Sequence, residues 1–111
     1  MKQFQNGHIA ARIRGLLAGQ GDPGELAARL HVDETALRMS LDELSPYPTL
    51  DVIAAIVREY GVDPNWLITG EYDSGAHQAA IQAPVAEIPS IVSHVVRRAT
   101  DTPPYNLRIV R

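Results

Sequence analysis

The residue types that carry acid–base, nucleophilic or metal chemistry are all present in this sequence, but not in the groupings that chemistry requires. The four histidines, His8, His31, His77 and His94, stand too far apart to make a converging ligand set and suit turn or surface positions, with His94 beside an apolar helix face. The adjacent acids Asp33-Glu34 and Asp42-Glu43 lie near helix ends, where carboxylates are far more often solvated than catalytic. No Ser, His and Asp arrangement suggests an activated nucleophile. The chain has no cysteine, so thiol catalysis, disulfides and thiolate-bound zinc are ruled out. The expectation is a protein without catalytic residues, metal or cofactor, one that works by binding.

The elements available to position a binding surface are helices. Ile9, Ile13, Leu16 and Leu17 form one apolar stripe of a first helix that ends near Gly19 and Gly21. In Asp22-Pro23-Gly24-Glu25, Asp22 suits a cap, Pro23 the first helical position and Glu25 the reciprocal partner of a capping box. A short second helix follows with Leu26, Ala27 and Leu30 inward, then a tight turn at His31-Val32-Asp33. Asp33 caps a third helix carrying Leu37 and Leu41, which Pro46 and Pro48 stop. Thr49 caps a fourth, with Leu50, Ile53, Ala54 and Val57 on one face and Gly61 at its end. Asp63-Pro64 opens a fifth short helix, Asn65 to Thr69, closed by Gly70.

Residues 1–73 therefore read as one all-α, five-helix domain, and the Gly, Ala, Gln and Pro stretch Ser74 to Pro84 as a linker. In residues 85–111, Ile88, Ile91, Val92, Val95, Val96 and Ala99 keep helical spacing, giving a sixth, amphipathic helix that ends at Arg97 and Arg98. Tyr105 to Arg111 alternates in part, the pattern of a short strand that needs a partner edge, for instance from a second copy. The sixth helix either folds back onto the first domain or forms a two-fold contact through Ile88, Ile91, Val92, Val95 and Val96. A linker before it favours the dimer.

Over its 111 residues the chain carries 10 Lys and Arg against 13 Asp and Glu, and the formal net charge of -3 gives no bulk reason to expect nucleic acid as a partner. The charge is uneven, since residues 1–73 carry 6 basic and 11 acidic groups, net -5, and residues 74–111 carry 4 and 2, net +2. The opening residues lack a signal-peptide core, and no run of apolar residues is long enough to span a membrane, so a cytoplasmic protein is expected. The 27 residues after the linker leave no room for a separate ligand-sensing domain, so no small-molecule effector is expected.

The second and third helices meet the steric demands of a helix-turn-helix. Ala27 supplies the small residue at the crossing, and His31 takes the turn position that needs positive φ. Val32 is the buried turn residue, and Leu37 pins the third helix to the second. With this spacing, the run Glu25-Leu26-Ala27-Ala28-Arg29-Leu30 and the ending Tyr60-Gly61-Val62-Asp63-Pro64-Asn65-Trp66-Leu67-Ile68-Thr69-Gly70-Glu71 resemble the phage lambda repressor and Cro-like helix-turn-helix family, also called the xenobiotic-response-element type. The resemblance spans about residues 9 to 71 and implies a transcriptional regulator that binds double-stranded operator DNA as a homodimer.

In such proteins the third helix enters the major groove, and the first turn of the second meets phosphate. Carried over by position, the resemblance implies base contacts from Glu34, Thr35, Arg38 and Met39. It implies backbone contacts from Lys2, Arg12, Arg14, Gly24, Arg29 and Tyr47. Arg38 suits guanine N7 and O6, and Met39 a thymine methyl. The chain departs from the family in placing four carboxylates, Asp33, Glu34, Asp42 and Glu43, on or beside this helix, where members usually carry Gln, Ser, Asn, Lys or Arg. That departure keeps open a second reading, a helix-turn-helix turned protein interaction module, an adaptor or toxin-antidote partner whose acidic third helix faces a basic protein. Trp66 suits a core plug better than a base stack, and Tyr47 either packs or donates to phosphate.

Overall fold

Frequent caps divide this chain into short helices, and their order follows from where the capping residues fall. A computed structural model describes residues 6–100. Its helices are α1 (Asn6–Leu17), α2 (Pro23–Leu30), α3 (Glu34–Leu41), α4 (Leu50–Tyr60), α5 (Pro64–Thr69), α6 (Ser74–Gln82) and α7 (Ile88–Thr100), with a single 3-10 turn at Val85–Glu87. The described residues form no strand, so the chain is all-α over this range. The strand pattern at Tyr105 to Arg111 lies outside the described residues.

The predicted caps are in place. Asp22 Oδ1 accepts from the Glu25 amide at 2.8 Å while Glu25 Oε1 accepts from the Asp22 amide at 3.3 Å, the reciprocal pair of a capping box. Asp33 accepts from the Ala36 amide at 3.0 Å and Thr49 from that of Val52 at 3.3 Å. Asp63 is 3% exposed, yet its carboxylate accepts from three amides, those of Asn65, Trp66 and Asp73, which satisfies a buried charge that would otherwise be costly. The left-handed ends fall at His31 (φ 60°), Gly61 (φ 62°) and Gly70 (φ 90°). At Gly70 an added methyl would also displace the Arg12 guanidinium from 2.6 Å, although the left-handed backbone is what selects glycine there.

Helix α4 is the hub. Val52, Ile53, Ala54, Ala55, Ile56 and Val57 are six consecutive buried residues, a helix apolar around most of its circumference because α2, α3, α5, α6 and α7 surround it. Trp66 is partly buried and packs against this core.

The linker expectation is corrected here, and α7 adopts the fold-back alternative. The stretch Ser74 to Pro84 is not a loose linker, because Asp73 caps it through Gly75 and Ala76 and the alanine-rich run continues as α6 as far as Gln82. His77 ties α6 down, its ring bridging Tyr72 Oη at 2.7 Å and the Gly61 carbonyl at 2.8 Å. Helix α7, in turn, folds back on the same chain. Ile88, Val92 and Val95, expected at a dimer contact, are 5%, 0% and 2% exposed and belong to one core cluster with α1 and α4, while Ile91 and Val96 are half-buried. With α6 packed beneath it, α7 has no free linker on which to swing out to a second chain.

Val92→Ala is therefore expected to lower the unfolding free energy by about 2 kcal/mol through lost burial and a residual cavity. The loss should be independent of protein concentration in a denaturant titration, whereas a dimer contact would make it concentration-dependent.

Candidate nucleic-acid interface

The surface of α3 follows from its inner face. Leu37 and Ser40 are fully buried, and Ala36 and Leu41 are partly so, which turns Glu34, Thr35, Arg38, Met39 and Asp42 outward along one exposed side. Three contacts hold that helix in place. The turn at His31 lets the Val32 amide reach the Ala27 carbonyl at 3.0 Å, closing α2 and aiming α3. Ser40 Oγ donates to the Ala36 carbonyl at 2.9 Å and accepts from the Thr49 amide at 3.3 Å, fixing the end of α3 to the start of α4. Arg14 on α1 donates to the Leu41 carbonyl, the last residue of α3, at 3.1 Å.

The carboxylates that argued against a nucleic-acid face are mostly committed to the protein itself. Asp33 is the N-cap of α3. Asp42 accepts from the amides of Leu44 at 2.9 Å and Ser45 at 3.4 Å, shaping the turn that leaves the helix. Glu34 Oε2 takes Arg38 Nε at 2.8 Å and Nη2 at 2.6 Å, one helical turn away. Only Glu43 among the four has no such role among the described residues. The described residues contain no group of three His, Asp or Glu able to hold a metal ion.

The residues expected at the DNA backbone are dispersed. Gly24 lies close to Glu34, and Tyr47 is 60% exposed with its amide on the Met39 carbonyl, so both border the α3 face. Arg29 is exposed but donates to the Gln20 carbonyl at 2.6 Å, bracing the loop between α1 and α2. Arg12 is half-buried and donates to the Leu67 carbonyl at 3.1 Å, at the end of α5. Lys2 lies outside the described residues. Two structural side chains escaped sequence reasoning. Arg58 donates to the Leu30 carbonyl at 2.6 Å and closes α2, and Ser40 bridges α3 to α4. Ser40 had a signal, its position three residues after Leu37 on the inner face, whereas Arg58 looked like an ordinary basic residue in a last helical turn.

A groove of about 660 Å³ between α6 and α7 is separate from this face, with Ala76, Ala79, Ile91 and Val95 as its apolar walls. No helix among the described residues is long and apolar enough to cross a membrane. No family model matches the chain, nor does any curated protein or solved structure.

The contrast between tethered and outward-facing arginines is measurable. Arg14→Met keeps the stem but strands the partly buried Leu41 carbonyl, an expected loss of about 1 to 3 kcal/mol in chemical denaturation. Arg38→Ala, at a solvent-exposed pair, should stay within about 0.5 kcal/mol of the parent.

Proposed function

We propose that this protein is a cytoplasmic transcriptional regulator of the phage repressor-like helix-turn-helix class, without enzymatic activity or cofactor, that reads double-stranded DNA with α3. The observation that carries the reading is the exposed side of α3, where Thr35, Arg38 and Met39 stand together on a helix braced by the α2 turn, Ser40 and Arg14. Rigid support of that kind is what base readout needs, because bidentate contacts tolerate little misplacement. The order of α1 to α5, with a left-handed His31 between α2 and α3, supports the same class of fold. Binding as a homodimer then uses a surface other than the buried seam of α7.

The same residues also support a second reading as a protein interaction module. Arg12, Arg14 and Arg29 all donate to carbonyls of their own chain, and the segment after α3 presents Leu44 at 96% and Tyr47 at 60% exposure beside Asp42 and Glu43. An acidic, apolar face of that kind suits a basic protein partner.

Selection from random duplexes followed by anisotropy titration separates the two. A regulator should enrich a preferred site, and Thr35→Ala with Arg38→Ala should weaken binding to it by about 100-fold, as expected for two lost base contacts. Enrichment of no site, or equal binding by the double variant, would sink the DNA reading or its residue assignment respectively.

A further inference from the structure

Helix α2 begins with one amide left over. Pro23 has none, and Asp22 takes that of Glu25. The Leu26 amide bonds the Asp22 carbonyl, so the Gly24 amide is the remaining donor of the first turn, with no partner among the described residues. The Glu34 carboxylate lies beside this first turn. A methyl group placed on Gly24 would meet Glu34 Oε1 and Asp22 Oδ1, each at 3.5 Å. The other oxygen of Glu34 holds Arg38 through both Nε and Nη2. One carboxylate thus pairs with the arginine fork of this face and lies beside a helix start, the two features most suited to a base edge and a phosphodiester.

We propose that Glu34 is an internal competitor for DNA, an anion that neutralises Arg38 beside the start of α2 until duplex displaces it. The proposal rests on the DNA-binding reading and names its regulation. A phosphate arriving at Gly24 meets Asp22, Glu25 and Glu34 together, and of these Asp22 and Glu25 are locked into the capping box. Glu34 is the movable one, because its side chain is 48% exposed and the chain at Asp33 keeps its own cap when Glu34 leaves. Displacement costs little, since exposed pairs one turn apart are weak. Binding is held down instead by the charge that Glu34 keeps on the face and by the loss of Arg38 as a counterion-releasing group.

The test is anisotropy of a mixed-sequence duplex with the full chain, over about 50 to 200 mM salt, for the parent, Glu34→Ala, Arg38→Ala and the double variant. Glu34→Ala introduces the strongest helix former and leaves the fold intact. It should bind about 5- to 10-fold tighter at the low-salt end, with a salt slope steeper by about 1, and most of the gain should vanish in the double variant. Binding gained by Glu34→Ala where the parent shows none supports the proposal equally. A parent that binds DNA while Glu34→Ala binds no tighter overturns the proposal and leaves the DNA reading standing. Failure of both proteins to bind overturns the two together. The parent alone gives a second readout, because the Arg38 Nε–H resonance should shift when duplex is added. A resonance unmoved at saturating duplex overturns the displacement.

Discussion

Helix ends, more than helix faces, govern this structure. A helix leaves about four amides and four carbonyls unpaired at its ends, so α2 and α3, with eight residues each, and α5, with six, have more orphan groups than internal bonds. The chain meets that demand with charge. Asp22, Asp33, Asp63 and Asp73 each take one or more amides at four helix starts, and Thr49 takes one at a fifth. At the opposite ends Arg58 on α4 closes α2, while Arg14 and Arg12 on α1 close α3 and α5. Acids at starts and guanidinium groups at ends also complement the helix dipoles.

That arrangement explains the charge of the first 73 residues better than any partner does. Four of their acids are caps and Glu25 completes a box, so much of the net -5 is architectural. The arginines are equally committed, and this changes what net charge says about function. A guanidinium bonded to a carbonyl still contributes its field but has fewer donors and less freedom to reach outward, so a tally of Lys and Arg overstates what is free to hold phosphate. Conversely, a carboxylate bonded to amides repels an approaching anion less than a free one, since its charge is partly offset by the dipoles it accepts from. The α3 face is accordingly neither as basic nor as acidic as its sequence implies, and its balance turns on Glu34, Arg38 and Glu43.

The caps and the left-handed turns were legible in the sequence because they are local. Asp22 and Glu25 are three residues apart, and the demand on His31 is set by the turn in which it sits. Long-range pairings were not legible. Arg12 meets its carbonyl 55 residues away, Arg14 27 and Arg58 28, and nothing in their neighbours distinguishes them from surface arginines. Helix α6 was hidden for another reason. Its alanines carry little apolar contrast, and Gly75 and Pro84 read as punctuation, although Asp73 supplied a cap of the same kind as the other four. The apolar stripe of α7 showed that a face is buried but not what buries it.

The fold-back of α7 follows from α6 once that segment is helical. A helix from Ser74 to Gln82 followed by a single turn leaves α7 no slack, and α4, already apolar on most sides, has an uncovered strip that Val92 and Val95 complete. Burying Ile88, Val92 and Val95 adds about 5 to 8 kcal/mol of transfer free energy before ordering costs, a large share of the stability of a domain this size. A two-fold contact that pulled the same side chains out of this core would first have to give that up. Burial of that face within the chain thus separates the question of dimerisation from the apolar pattern that first raised it.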